Sequence, residues 1–164
     1  MSVASEAPAM VIPAEALRQH WQGHRRLTRR VIDAFPEEQL FRFTLGGMRP
    51  FGVMVRELLS IGAPMLRGLV TDQWDPMSTR DDTKPVPKAD LLKQWDADTV
   101  TIDELWAKLT PARFQETATA FGQYPGRVYE LLLYGIDNEI HHRAQGYVYL
   151  RALGIAPPAF YERD

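Results

Sequence analysis

The chain has 164 residues, of which 45% are hydrophobic and 24% are charged, and its formal net charge is −2. Binding of nucleic acid would need a clustered basic face, and a chain this close to neutral gives no sign of one, so we expect no nucleic-acid partner. The sequence has no cysteine, which excludes disulfides, thiolate metal sites and a cysteine nucleophile, and which agrees with a cytoplasmic protein.

No segment contains the roughly 18 consecutive apolar residues of a membrane span, so we expect no membrane partner. The length suits a single domain, residues 1–164, with a sizeable hydrophobic core. Residues 1–12 are mostly small and apolar and are expected to form a loose tail. Any contact between this tail and the domain is expected to be made by Val11 and Ile12.

Apolar residues that recur at steps of three and four predict four helices joined by long connections. The helices are predicted at 13–35, 50–70, 89–109 and 129–154, and the connections at 36–49, 71–88 and 110–126. Pro64 removes one internal hydrogen bond and is expected to kink the second helix. The connection TDQWDPMSTRDDTKPVPK is too rich in Pro, Asp, Ser and Thr for a regular element and suits a long crossover or a lid, anchored by Trp74. Since no alternating strand pattern is present, the predicted fold class is all-α, a four-helix bundle.

The first helix combines an inward stripe with a basic outer surface. The stripe consists of Leu17, Trp21, His24, Thr28, Val31 and Phe35. The arginine pairs at 25–26 and 29–30 are interpreted as the solvated face of this helix rather than as a nucleic-acid footprint. His20 and His24 have the four-residue spacing that metal ligands use on a helix, but a lone pair is a weak signal and structural or surface roles are favoured.

The last helix is the longest uninterrupted helical pattern and holds the only adjacent histidines, His141 and His142. His142 is expected to face inward, while His141 lies about 100° round the helix and is expected to face an edge or solvent. Gly154 suits the position just after a helix, and Pro157-Pro158 prevents a restart. The inward stripe consists of Val128, Leu132, Gly135, Glu139, His142, Gly146, Tyr149 and Leu153.

Several short motifs are similar to those of a known family. They are NEIHHRAQ at 138–145, YLRALG at 149–154, GGMRPFG at 46–52, and Trp21, Arg25 and Thr28 in the first helix. Together they resemble the DinB-like proteins, four-helix bundles named for damage-inducible genes, and the resemblance covers nearly the whole chain. It implies a bundle of the up-down-down-up type, and a homodimer that forms through bundle faces.

The same resemblance implies a site for a divalent metal, which family members typically bind through three histidines. The family's ligand positions correspond to Ser60 on the second helix and to Asn138 and His142 on the last helix, so that only one histidine is retained. Neutral oxygens bind first-row metals weakly, and an open zinc site needs three protein ligands. We therefore expect no cofactor, with zinc, nickel or manganese as the alternative.

Without a metal, His142 is expected to form a hydrogen bond with Asn138 or Ser60 inside the bundle. With a metal, a carboxylate from Glu57 or Glu139 could complete the site, although neither corresponds to a family ligand position. His24 would then be the first residue to consider as a relocated ligand. Arg143 is interpreted as structural, paired with an acid on a neighbouring helix or across a dimer.

Two functional hypotheses follow, and whether the chain is an enzyme stays open between them. In the first, the site has degenerated and the protein is a non-catalytic module that binds a small ligand or is associated with stress. In the second, the protein is a divalent-metal-dependent transferase or isomerase that uses a low-molecular-weight thiol. The metal, with His142 among its ligands, would then polarise and deprotonate the thiol.

Overall fold

The computed structural model describes residues 11–75 and 84–164 and is mostly helical. Its helices are α1 (Ala14–Ala34), α2 (Glu37–Leu40), α3 (Phe51–Thr71), α4 (Lys88–Trp106) and α5 (Val128–Ala152), and a two-stranded hairpin is formed by β1 (Thr117–Ala120) and β2 (Tyr124–Arg127). The four long helices confirm the predicted all-α bundle, with ends close to the predicted ones. The short helix α2 was not predicted.

The directions of the helices follow from the side chains that meet between them. α1 and α4 are antiparallel, because Arg18 near the start of α1 pairs with Asp103 near the end of α4. α1 and α5 are parallel, because Trp21 donates to Glu139 and Thr28, further along α1, accepts from Arg143, further along α5.

α3 and α5 are antiparallel and pack closely at two glycines of α5. A Cβ atom at Gly135 would lie 2.6 Å from Cε of Met65, and one at Gly146 would lie 2.6 Å from the ring of Phe51. α3 is therefore parallel to α4, which gives the up-down-down-up arrangement. Since parallel neighbours need a long connection, this topology favours the crossover interpretation of the segment between α3 and α4.

The described part of that connection is held by Trp74. Its indole packs over Gly68 of α3, and its ring centroid lies 5.4 Å from that of Phe121 in an edge-to-face contact. The predicted anchoring by Trp74 is confirmed. Residues 76–83 of the predicted connection lie outside the described residues, as do residues 1–10 of the predicted tail.

The connection 110–126 is more ordered than predicted. A 3₁₀ turn, Arg113–Gln115, leads into the antiparallel hairpin. Phe121 and Gly122 reverse the chain with φ angles of 54° and 70°. TATA alternates Thr and Ala over only four residues and YPGR does not alternate, so these short strands were not recognised from periodicity.

The interior of the bundle has two hydrophobic clusters with a polar layer between them. One cluster is centred on Trp21, Ile61, Leu66, Ile102 and Leu132, and the other on Val31, Phe51, Leu58, Trp95 and Tyr149. The buried polar residues lie between these clusters along the helices: Gln22, His24, Arg25, Thr28, Glu139, His142 and Arg143. The site is built from this layer.

Two further expectations concern the surface of the chain. Val11 and Ile12 are 92% and 63% exposed, so the contact predicted for the end of the tail is wrong. In residues 11–75 and 84–164, none of the helices is both long enough and apolar enough to cross a bilayer.

Candidate functional site

His142 lies on the face of α5 that packs against α3, and its side chain is only 8% exposed. Its Nδ1 atom is 2.7 Å from Oε1 of Gln145, and its Nε2 atom is 3.2 Å from Oε1 of Glu57. Both ring nitrogens are thus engaged by side chains. The inward position predicted for His142 is confirmed, as is the exposed position of His141.

Glu57 connects His142 to a cation at the rim of the bundle. Its second oxygen, Oε2, is 2.5 Å from Nη2 of Arg49. The hydrogen bond with His142 and the contact with Arg49 lower the pKa of Glu57 to about 2, against the opposing effect of its partial burial. Arg49 is held in turn through its main-chain oxygen, which accepts a hydrogen bond of 2.9 Å from the hydroxyl of Tyr149.

Ser60 and Asn138 do not bond to His142. The hydroxyl of Ser60 donates to the main-chain oxygen of Glu57 at 2.7 Å. The amide nitrogen Nδ2 of Asn138 is buried and has no hydrogen-bond partner in the part of the chain that the structure describes. The predicted bond from His142 to Asn138 or Ser60 is therefore wrong, and Glu57, one turn before Ser60 on α3, takes that place.

The side chains around His142 do not fit a divalent metal. They offer one imidazole, whose two nitrogens are both in hydrogen bonds, and one carboxylate, which is paired with Arg49. Ser60 and Asn138 could add only neutral oxygens, which bind first-row metals weakly. Within the described ranges, no three His, Cys, Asp or Glu side chains form a group that could hold a metal ion.

His24, the candidate for a relocated ligand, is also committed to other contacts. Nη2 of Arg143 lies 2.9 Å from its Nδ1 atom, while Nη1 of Arg163 and Nε2 of His20 lie 3.3 and 3.1 Å from its Nε2 atom. Each ring nitrogen therefore faces a guanidinium group, which can only donate. Burial and the positive charges of Arg143 and Arg163 lower the pKa of His24 to about 3. A ring held between two guanidinium groups is poorly placed to bind a further cation, because like charges repel.

Glu139 lies at the centre of the polar layer, on the face of α5 that meets α1. Its carboxylate accepts a hydrogen bond of 3.1 Å from Nε1 of Trp21 and one of 2.6 Å from the hydroxyl of Thr28. Nη1 of Arg25 is 3.8 Å from its Oε2, and Nη1 of Arg143 is 4.0 Å from its Oε1. The acid that pairs with Arg143 is thus on its own helix, not on a neighbouring one as predicted.

Arg25 corrects the interpretation of the first helix. Its side chain is 1% exposed, so it belongs to the interior, whereas Arg26 is exposed. Its Nη2 atom is 2.9 Å from Oδ2 of Asp98, and its guanidinium carbon lies 3.5 Å above the ring of Trp95. An arginine with an acid and an indole around it can be buried where an isolated one could not.

Asp98 completes the layer on α4. Burial raises its pKa to about 6, although Arg25 and the N–H of Ala63, which donates at 3.3 Å, both favour the charged form. α3 makes room for this carboxylate at Gly62, where a Cβ atom would lie 3.0 Å from Oδ2 of Asp98. Three helices, α1, α4 and α5, therefore contribute charged side chains to one buried network, and α3 adds the main-chain N–H of Ala63. The spacing of these residues in the sequence did not reveal the network.

Comparisons with known proteins identify the family. The sequence matches the model of the DinB family over residues 10–164, so the chain belongs to that family. Its structure is similar to that of a DinB-like protein from Bacillus cereus, with a TM-score of 0.70, 20% sequence identity, and coverage of 90% of this chain and 97% of that one. It is also similar to a DinB-like protein from Bacillus subtilis, with a TM-score of 0.68, 16% identity, and coverage of 90% and 99%. No curated protein matches the sequence. The family and the fold predicted from the motifs are confirmed.

Proposed function

We propose that this member of the DinB family is a non-catalytic module that binds a small ligand at the α3–α5 site, without a metal. The observation that carries the proposal is the set of side chains at this site. Its imidazole and its carboxylate already satisfy each other, and Arg49 neutralises the carboxylate. A metal would have to displace these partners and would gain only neutral oxygens from Ser60 and Asn138.

The chemistry of the ligand follows from the group that lacks a partner. A buried amide N–H without an acceptor is unfavourable by about 1–3 kcal/mol, so the Nδ2 atom of Asn138 favours a ligand that brings an acceptor oxygen. The half-buried hydroxyl of Ser60 could contact the same ligand. A carbonyl or carboxylate compound meets this requirement. A homodimer, a role in stress and a cytoplasmic location stay predictions that rest on the resemblance and the composition.

The first test is the metal content of the purified chain after addition of zinc, nickel or manganese, measured by elemental analysis. We expect no stoichiometric metal in the wild type. His142→Ala removes the one histidine of the site, and His141→Ala, its exposed neighbour, is the matched control. One equivalent of metal that is lost in His142→Ala but kept in His141→Ala would contradict the proposal. It would favour the alternative, a metal-dependent and thiol-dependent transferase or isomerase.

The second test identifies the ligand. Small carbonyl and carboxylate compounds are screened for an increase in the melting temperature of the wild type, since a ligand stabilises the state that it binds. Asn138→Leu removes the unpaired amide and keeps the volume of the side chain. We expect a compound that stabilises the wild type to bind Asn138→Leu about tenfold more weakly, as for the loss of one buried hydrogen bond. Equal stabilisation of both proteins would refute this site.

A further inference from the structure

The end of the chain forms a strap over α1. After α5 ends, Gly154 reverses the backbone with a φ of 77°, and residues 159–164, the C-terminal strap, run back along α1. Nε of Arg26 donates to the main-chain oxygen of Arg163 at 2.8 Å. Cβ of Arg163 lies 3.2 Å from the position that a Cβ atom on Gly23 would occupy, so this glycine allows the close approach.

The strap also occupies a second arginine of α1. Nη2 of Arg30 donates to the main-chain oxygen of Glu162, and its Nη1 atom is 4.0 Å from the carboxylate of the same residue. The large side chains of the strap contribute little burial, since Phe160 and Tyr161 are 67% and 71% exposed. The strap is therefore held mainly by polar contacts to arginines, which another acceptor could replace.

The groove between α1 and α5 under this strap is rich in positive charge. Its guanidinium groups are those of Arg26, Arg30, Arg143, Arg151 and Arg163. The acid Glu139 faces the same groove but already accepts from Trp21 and Thr28, and the carboxylate of Glu162 is 61% exposed. The strap also carries Asp164, which is exposed. In a chain whose net charge is −2, five guanidinium groups in one place are still a local concentration of positive charge.

Two buried polar atoms in this groove lack a hydrogen-bond partner among the described residues. They are Nε of Arg30 and the hydroxyl oxygen of Tyr147. Arg143, Tyr147 and Arg151 follow one another at steps of four residues along one face of α5. Arg143 meets Thr28, which is two residues before Arg30 on the parallel helix α1, so Tyr147 lies level with the part of α1 that carries Arg30. Burial raises the pKa of Tyr147, and the positive charges of these three arginines act in the opposite direction. Buried N–H and O–H groups are nearly always satisfied in folded proteins. A ligand that brings acceptor oxygens would satisfy both of these donors.

We propose that the groove between α1 and α5 binds a small oxyanion, a carboxylate or phosphate group, which Arg30 and Tyr147 hold and for which the C-terminal strap competes. The edge of a guanidinium group formed by Nε and Nη2 binds two oxygens of such an anion at once. The main-chain oxygen of Glu162 now occupies Nη2, while Nε is free. An oxyanion takes up the free Nε–H, replaces that carbonyl and accepts from Tyr147.

This site is distinct from the one around His142. Arg143 meets Thr28 of α1, and Tyr147 lies one turn further on the same face of α5, whereas His142 meets Glu57 of α3 on another side of the helix. The two sites also differ in charge, because the Glu57–His142–Arg49 group contains its own carboxylate. The function proposed for the α3–α5 site can therefore fail while the oxyanion site holds, and the reverse is equally possible.

The test is isothermal titration calorimetry of the full chain with sodium phosphate and, separately, with sodium acetate, at an ionic strength fixed with sodium chloride. We expect saturable binding of one equivalent of at least one of them, and the better of the two identifies the group. Arg30→Gln should weaken binding by about tenfold or more, as for loss of a charge-assisted hydrogen bond. Tyr147→Phe, which removes only the hydroxyl, should weaken it by about two- to tenfold.

Two further variants sharpen the test. Arg29→Gln is the matched control, because Arg29 is the neighbour of Arg30 on α1 and pairs with Asp96 away from the groove; its affinity should equal that of the wild type. Gly23→Ala places a Cβ atom 3.2 Å from Cβ of Arg163, which pushes the strap and the main-chain oxygen of Glu162 away from α1, and should tighten binding. No saturable binding of either anion would overturn the site, as would wild-type affinity in both Arg30→Gln and Tyr147→Phe. Unchanged affinity in Gly23→Ala would overturn the competition by the strap.

Discussion

Replacement of Glu139 by Gln tests whether the buried layer is balanced in charge. In the wild type near neutral pH, the two cations Arg25 and Arg143 face the two anions Asp98 and Glu139. The exposed fractions of these side chains are 1%, 7%, 10% and 2%, respectively. Gln has the shape of Glu, so the substitution creates no cavity. It removes one negative charge and leaves one buried positive charge without compensation.

The expected loss is a large part of the total free energy of unfolding of a typical domain. Removal of one partner from a buried ion pair costs about 3–5 kcal/mol, while domains are typically stable by about 5–15 kcal/mol. Part of this loss is local. The carboxylate accepts from both Trp21 and Thr28, and an amide offers only one acceptor oxygen in its place. For a chain of this size, the melting temperature should fall by roughly 6–20 °C.

The free energy of unfolding is measured by urea denaturation at pH 7.5, where Asp98 is ionised, and the melting temperature by calorimetry. Asp96→Asn is the control, since Asp96 also pairs with an arginine of α1, Arg29, but at the surface, with 43% and 49% of the two side chains exposed. It should cost no more than about 1 kcal/mol. A loss for Glu139→Gln no larger than that of the control would refute the balanced layer. Addition of Arg143→Met to Glu139→Gln should recover part of the loss, because it removes the excess charge.

Three other predictions follow from the same structure. The pKa of Asp98 is raised from its ordinary 3.8 to about 6, so between these values the folded state binds a proton that the unfolded state has lost. Relative to Asp98→Asn, the wild type should therefore lose up to about 3 kcal/mol of unfolding free energy as the pH rises from about 4 to 7. A difference that does not change with pH would contradict this. His24 should stay neutral above about pH 5, as ¹⁵N chemical shifts of the ring would show, and a titration near its ordinary pKa would refute the contacts with Arg143 and Arg163. Gly146→Ala should destabilise the protein by about 1–3 kcal/mol and Gly135→Ala by less. The new Cβ atom at position 146 meets the ring of Phe51, whereas the one at position 135 meets the flexible end of Met65, which can move away more easily. Equal losses in thermal unfolding would argue against the close packing of α3 on α5.

The parts of the fold that rest on helical periodicity were predictable. Seven of the eight residues of the inward stripe predicted for the last helix are buried, and Leu153 at its end is half-buried. This agreement includes Glu139 and His142, which a rule based on hydrophobicity alone would place outside. The hairpin at 117–127 was missed because its stability comes from packing against α3 and α5 and from its tight turn. Neither of these leaves a period in the sequence.

The site was predicted less well, because its contacts depend on the rotation of each helix and on pairs that are distant in sequence. Ser60 and Glu57 lie one turn apart on nearly the same face of α3, and the sequence alone did not show which of them meets His142. Arg25 was assigned to the solvated face because it belongs to a group of four arginines, at 25, 26, 29 and 30, and the sequence does not show that one of them points inward. Its burial depends on Asp98 and Trp95, some 70 residues later in the chain.

The polar layer divides into two parts, one on each side of α5. It lies between the two hydrophobic clusters and is joined to them by the hydrogen bond from Trp21 to Glu139 and by the contact of Arg25 with Trp95. On the α1 side of α5, the layer is closed by Glu139, Arg143 and their partners. On the α3 side it is closed by His142 and Glu57, which contact each other. Because these two halves share a helix but no side chain, a substitution on the α3 side leaves intact the contacts that fix the packing of α5 on α1. We therefore expect substitutions at Asn138 or Ser60 to alter binding more than stability, and substitutions at Glu139 to do the reverse.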